Sequence, residues 1–247
     1  MTRVAVAGGT GTVGTHVVTR LQELGHEPLV LSRSRGVDLV AGTGLDLRGV
    51  DAVIDVGGVT TLSARRSRAF FEATTRTLLA AGRRAGVRHH VALSIVGVDA
   101  APGGYYAGKV AQERAVRAGT VPWSVLRATQ FHEFAAQTVE RTTLGPLVLV
   151  PRMRTQPVST CELAVALVDL ALGDSVGDAG ELGGPREERL ADMVRAYLDA
   201  RGRRQRVVEV RFPGALGRAM AGGDLLPGPG AALGTETYAE WLARRGR

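Results

Sequence analysis

Hydrophobic and polar positions along this chain fall into two registers, short β-branched runs and longer amphipathic stretches. Residues 4–7 form the first apolar run, which breaks into glycines and reopens as an amphipathic stretch over 13–24. That order reads as strand, tight turn and helix. A second run, residues 29–32, follows a helix stop at Gly25, and 37–40 are expected to form a short third strand. Residues 52–56 read as a buried strand, and Ser63 as the cap of a long helix reaching about residue 85. Then come a strand at 91–96, a helix at 105–118 and a strand at 123–127. This spacing predicts right-handed βαβ units and an α/β fold with a doubly wound parallel sheet. Past residue 130 the pattern is less regular. It predicts a helix to about 143, a strand at 147–150, helices at 159–172 and 187–201, and a strand at 207–211. A Pro/Gly loop over 225–232 and a helix over 235–244, anchored by Trp241, complete the series.

The first turn carries chemistry. Gly9, Gly11 and Gly14 satisfy G-x-G-x-x-G, and Gly8, Gly11 and Gly14 satisfy a looser G-x-x-G-x-x-G. Placed between a strand and a helix, such glycines permit a sharp reversal, close approach of a pyrophosphate and close packing of helix on strand. The free N–H groups at the helix start then favour the anion. At the end of the second run stand Ser32, Arg33 and Arg35, where a site preferring NAD would hold the ribose 2′-hydroxyl with a carboxylate. Guanidinium and hydroxyl groups suit a 2′-phosphate, so NADP(H) is the expected cofactor. Asp38 remains the acidic alternative after a longer turn, and Asp46 is placed to reach the adenine. Gly57 and Gly58 follow the 52–56 strand, where a doubly wound sheet puts its ligand.

Composition narrows the rest. The net charge is +7, yet of 31 basic residues only Lys109 is lysine, and the arginines scatter over expected helix faces. Nucleic acid is therefore not the expected partner. No apolar run is long enough for a membrane span, no secretory leader is read, and a cytoplasmic location is expected. Cys161 is the single cysteine and is read as a small buried residue. His89 and His90 lack ligand partners at useful spacing, so no metal is expected.

That only lysine stands four residues after Tyr105. On a helix the two share a face, and a nearby ammonium favours the phenolate, making the phenol a better proton donor or acceptor near neutral pH. The alternative is a plain surface pair. Ser94, on the preceding strand, is placed to hydrogen-bond a substrate oxygen near Tyr105, or else to cap a backbone group. Tyr106 is read as packing or substrate lining, and His132 as a wall residue or a catalytic one.

Taken together, the glycine turn, the Ser-Arg after the second run, LSIVGVD, GYYAGKVAQE and WSVLRATQFHEF resemble the atypical short-chain dehydrogenase/reductases of the NmrA-like, NAD(P)H-binding group. The resemblance spans nearly the whole chain. It implies a Rossmann sheet with a small carboxyl-terminal substrate lobe, a single domain over 1–247 with 1–129 mainly binding dinucleotide and 130–247 mainly the lobe. By that likeness Tyr105 is the proton donor or acceptor, Lys109 binds the nicotinamide ribose and tunes it, and Ser94 orients a carbonyl. Thr10, Gly11, Thr12 and Val13 wrap the pyrophosphate, Arg33 meets the 2′-phosphate, and Thr129, Gln130 and Phe131 lie by the nicotinamide and the substrate. The chain departs from the pattern at Gly57-Gly58, where similar proteins often carry Asn or Ser, which puts substrate orientation in question. The expectation is an NADP(H)-dependent reductase of a carbonyl, or a related C=C or C=N bond, in a small specialised-metabolite substrate. The alternatives are a non-catalytic NAD(P)-binding regulator and, less favoured, a nucleotide-sugar epimerase or dehydratase. A homodimer through the helices starting near residues 64 and 105 is compatible with their faces.

Overall fold

The computed structural model describes residues 1–245. Its strands and helices follow in the order β1 (Arg3–Ala7), α1 (Thr12–Glu23), β2 (Glu27–Leu31), β3 (Ala52–Asp55), α2 (Ala64–Ala85), β4 (His89–Ile95), α3 (Tyr106–Arg117) and β5 (Trp123–Ala128). Next come α4 (Phe134–Thr142), β6 (Thr143–Leu144), β7 (Leu147–Pro151), β8 (Arg154–Thr155), α5 (Thr160–Leu172) and β9 (Gly177–Gly183). The last are β10 (Glu188–Arg189), α6 (Leu190–Ala200), β11 (Arg206–Val210), α7 (Gly214–Gly222), β12 (Ala232–Leu233) and α8 (Tyr238–Arg245).

A seven-stranded parallel sheet in the order β2-β1-β3-β4-β5-β9-β12 forms the Rossmann-like α/β core. The chain builds β2 on one side of β1 and then crosses to build β3 on the other, so the order reverses at β1. In open α/β sheets, ligands bind at such a reversal, beyond the carboxyl ends of the strands. Register aligns those ends, since Ala7 pairs with both Leu31 and Asp55.

Contacts divide the chain into two compact units. The first comprises Met1–Ile95, Pro102–Arg127 and Thr160–Gly180, and the second Val96–Ala101, Ala128–Ser159 and the chain from Glu181 on. In the first unit α2 and α3 pack together, as do α1 and α5. Leu78 and Ala81 of α2 close over Ala5, Ala7, Leu31 and Val53. The apolar stripe of α1 (Val13, Val17 and Leu21) is buried. In the second unit β7 lies between β6 and β11. There the aromatic rings of Tyr238 and Trp241 stack at 5.6 Å.

Several expectations change. Residues 37–40 are not a strand. Their polar turn closes through a single bridge between Asp38 and Thr43, and Asp38 Oδ1 accepts the N–H groups of Val40 and Ala41 at 2.8 and 3.1 Å. Strand β9, GDAGELG, and helix α7, GALGRAMAG, were not anticipated, since neither carries an apolar period. Cys161 is exposed rather than buried, in the first turn of α5, with Sγ 3.4 Å from His16 Nδ1. Ser63 does cap α2, its Oγ accepting Arg66 N–H at 3.3 Å. No helix among the described residues is long and apolar enough to cross a membrane.

Candidate active site

The glycine turn follows β1 directly. Gly8 has a positive φ of 79°, and a Cβ there would lie 2.9 Å from Gly57 Cα, so the two turns that follow β1 and β3 meet backbone to backbone. A Cβ on Gly14 would collide with the Gly8 carbonyl and lie 2.6 Å from Gly9 Cα, which is why α1 packs so closely on the turn. Of the two overlapping glycine patterns, the one beginning at Gly8 thus carries the reversal. Gly11 is the N-cap of α1 and offers no side chain to the first-turn N–H groups, and that turn holds no acidic residue. Thr10, Gly11 and Thr12 are exposed while Val13 packs inward. An uncapped helix start at the sheet's reversal suits the pyrophosphate of a dinucleotide.

At the end of β2, Ser32 Oγ lies 3.0 Å from Ser34 Oγ, and residues Arg33–Arg35 form one 3₁₀ turn. Arg33 and Arg35 are exposed, and among the described residues neither is ion-paired. Asp38 is spent on its own turn. Asp46 is exposed and grips Arg48 through both oxygens, at 2.6 to 3.0 Å. That guanidinium holds its carboxyl well below the usual carboxylate range.

Tyr105 and Lys109 meet at one ring. The edge of Phe71, from α2, packs against Tyr105 with centroids 5.5 Å apart, and Lys109 Nζ sits 4.5 Å from the Phe71 centroid. Tyr105 Oη stands over Gly58, where a Cβ would approach it to 3.2 Å. Ser67 Oγ donates to the Tyr105 carbonyl at 2.7 Å, tying the start of α3 to α2. This close crossing depends on Gly108, because a Cβ there would collide with Ser67 and Phe71. Tyr106, half-buried, opens α3, its N–H donating to the Gly103 carbonyl at 3.0 Å.

Lys109 is 4% exposed. Its ammonium donates to the Leu93 carbonyl at 2.8 Å and to Gln112 Oε1 at 2.9 Å. Gln112 Nε2 in turn donates to Asp55 Oδ2 at 2.8 Å, and Gly57 N–H donates to Asp55 Oδ1 at 3.0 Å. Burial pushes the Lys109 amine down from its ordinary 10.5 to about 8, against the pull of Asp55 and Glu113. Ser94 is buried at the end of β4, on the side of Glu113, whose ionised form it favours. Burial opposes that ionisation, but Arg127, Ser94 and Arg117 outweigh it and hold the Glu113 carboxyl below its ordinary value. Arg127 contacts Glu113 through Nε and Nη2 at 2.9 and 2.7 Å, and Arg117 through Nη1 at 2.8 Å.

The remaining site candidates belong to the second unit. Thr129 Oγ1 donates to the Gln156 carbonyl at 2.6 Å, Gln130 Oε1 accepts from Thr155 Oγ1 at 2.7 Å, and Phe131 bridges to Val158. His132 is fully buried, its ring 5.8 Å from Tyr238 and 5.6 Å from Trp241, with Nε2 3.1 Å from the Glu236 carbonyl. Its surroundings there are those of a core residue. His89 and His90 lie inside β4; both are buried, and burial lowers the pKa of each.

Sequence reading overlooked Asp55, Phe71, Gln112 and Glu113. Two signals were present: a carboxylate ending an otherwise apolar strand, and polar residues three and four positions after Lys109 on the buried side of α3.

No protein-family model and no curated protein matches the chain. Solved structures do match in fold. A UDP-galactose 4-epimerase superposes with a TM-score of 0.69 at 18% identity, covering 99% of this chain and 97% of that one. A short-chain dehydrogenase/reductase superfamily protein from Agrobacterium tumefaciens, with bound NAD, gives 0.69 at 18% identity over 99% and 96%. The UDP-glucose 4-epimerase of Thermus thermophilus in complex with NAD gives 0.67 at 19% identity over 99% and 93%. At these identities the likeness establishes the fold: this chain has the Rossmann-like α/β architecture of those structures.

Proposed function

We propose that the protein is an NADP(H)-dependent oxidoreductase that reduces a carbonyl, or a related C=C or C=N bond, of a small molecule. One observation carries the reading: Tyr105 and Lys109 converge on Phe71 beside the Gly57–Gly58 turn, which itself abuts the glycine turn after β1. The residues fit the cofactor. Thr12, Val13 and Gly14 offer first-turn N–H groups that no side chain caps to a pyrophosphate, and Arg33 and Arg35 offer guanidinium groups, with no carboxylate partner among the described residues, to a 2′-phosphate. When bound, the reduced nicotinamide supplies the hydride.

The chain's own part is proton supply and charge placement. The Tyr105 hydroxyl gives its proton to the substrate oxygen as negative charge develops there. Lys109, an ammonium through most of the neutral range, favours the phenolate left behind. Glycine at position 58 leaves room for the substrate over the Tyr105 hydroxyl.

The reading is tested by titrating NADPH, NADP+, NADH and NAD+ against the purified protein. NADPH is expected to bind much more tightly than NADH. Equal or stronger binding of NADH removes the 2′-phosphate assignment, and no binding of any of the four removes the whole reading. Tyr105→Phe is expected to keep NADPH affinity while turnover falls by about two orders of magnitude or more; unchanged turnover of an identified substrate eliminates Tyr105 as the proton donor.

A further inference from the structure

Lys109 is held by more than the sequence motif around it. Its three N–H donors face the Leu93 carbonyl, Gln112 Oε1 and the Phe71 ring. Gln112 is 1% exposed and Asp55 2%, so the amide bridges an ammonium and a carboxylate out of contact with water. Only one orientation of that amide works. The carbonyl must face the ammonium and the NH₂ the carboxylate, because a flip sets like charges against each other. The far oxygen of Asp55 accepts the N–H of Gly57, the residue against which Gly8 of the glycine turn is packed.

We propose that Gln112 and Asp55 are positioning residues, joining the Lys109 ammonium through one hydrogen-bonded chain to Gly57, which packs on the glycine turn. The amide spreads the carboxylate's influence to the ammonium without a direct ion pair, so Lys109 acts on a ligand at the site through its charge, its three donors being engaged within the protein. Other charges around Lys109 do not perform this task. Glu113 on α3 also favours the ammonium but is bonded to Arg117 and to Arg127 of β5 rather than to Lys109, burial disfavours the charged form of His90 of β4, and α2 presents the uncharged Phe71. Tyr105, in the turn before α3, meets the same Phe71 ring. The inference rests on Lys109 serving the dinucleotide site.

Because Lys109 is the only lysine, protein labelled with ¹³C at lysine Cε gives a single side-chain signal whose pH titration reports this amine alone. The native midpoint is expected near 8. Gln112→Leu and Asp55→Asn each remove support for the charged form, and each is expected to lower the midpoint by roughly one pH unit. Gln112→Glu is expected to raise it. A midpoint unchanged in Gln112→Leu and Asp55→Asn, or raised toward the ordinary lysine value, overturns the bridge. The second readout is NADPH affinity. Gln112→Leu is expected to bind about fivefold more weakly than native at pH 8, where its amine is mostly neutral and the native one half charged, and to recover near-native affinity at pH 6, where both amines are mostly charged. A loss that persists unchanged at pH 6 overturns the positioning role in favour of plain structural damage. If native protein binds no nucleotide while the midpoints move as stated, the bridge stands and the dinucleotide reading falls.

Discussion

Helix α3 meets two buried carboxylates and treats them differently. Glu113, on the helix, is clamped by two guanidiniums, from Arg117 one turn on and from Arg127 of β5. Asp55, at the end of β3, meets no cation directly among the described residues and is served by an amide and a backbone N–H. Clamping two charges to one carboxylate satisfies it locally and holds β5 against α3. Serving a carboxylate with neutral donors leaves its field available, and Lys109 lies next in line. One site is built for cohesion, the other for placing a charge where a ligand can use it.

Breaking the clamp is expected to have the largest effect. Glu113→Ala removes the carboxylate that Arg117 and Arg127 share, and by analogy with other broken buried pairs it costs about 4 kcal/mol; chemical denaturation reads the loss. A cost below about 1 kcal/mol would place Glu113 with exposed pairs instead. Next is the pH dependence that follows from Lys109. Its amine holds a proton less tightly in the folded chain, at about 8, than at its ordinary 10.5. Between those values the unfolded chain carries more protons, so stability rises with pH across the window, by up to about 3 kcal/mol. Lys109→Met lacks this rise, and subtracting its stability curve from that of the native protein between pH 8 and 10 isolates the effect. A flat difference would mean that the amine is hydrated.

Smaller effects sharpen how α3 is seated between its two carboxylates. Gly108→Ala forces a methyl against Ser67 and Phe71 and is expected to cost about 2 kcal/mol net of the helix propensity that alanine adds. It should also weaken NADPH binding, as Tyr105 and Lys109 move with the helix. Ser63→Ala removes only the cap of α2 and is expected to cost about 1 kcal/mol with NADPH affinity unchanged. Thermal melts of this pair, with and without nucleotide, separate the seating of α3 from simple loss of helix stability.

Local pattern carried much of this molecule. Strands β1 to β5 and helices α1 to α3 were legible because each apolar run or stripe faces a core whose period is set by the element itself. Tyr105, Lys109 and the glycine turn were legible because their roles are encoded at short spacing. The limits of the local signal are also physical. Residues 37–40 are apolar enough for a strand, but Asp38 binds its own backbone and closes a turn. Strand β9 is mostly glycine and polar residues, and its place follows from the neighbours it pairs with rather than from its own period.

The sequence by itself determined the alternation of strands and helices, the reversal at the first glycine turn and the lone lysine one helical turn after a tyrosine. Only the tertiary structure decided that Gly8 rather than Gly9 makes the reversal, that Cys161 is exposed and that His132 is enclosed by Tyr238 and Trp241. It also decided that Asp55 and Gln112, 57 residues apart, are bonded to each other. Spacing along the chain reports contacts within a helix or strand. A buried carboxylate must find its donors wherever the fold brings them, and that choice is made by packing.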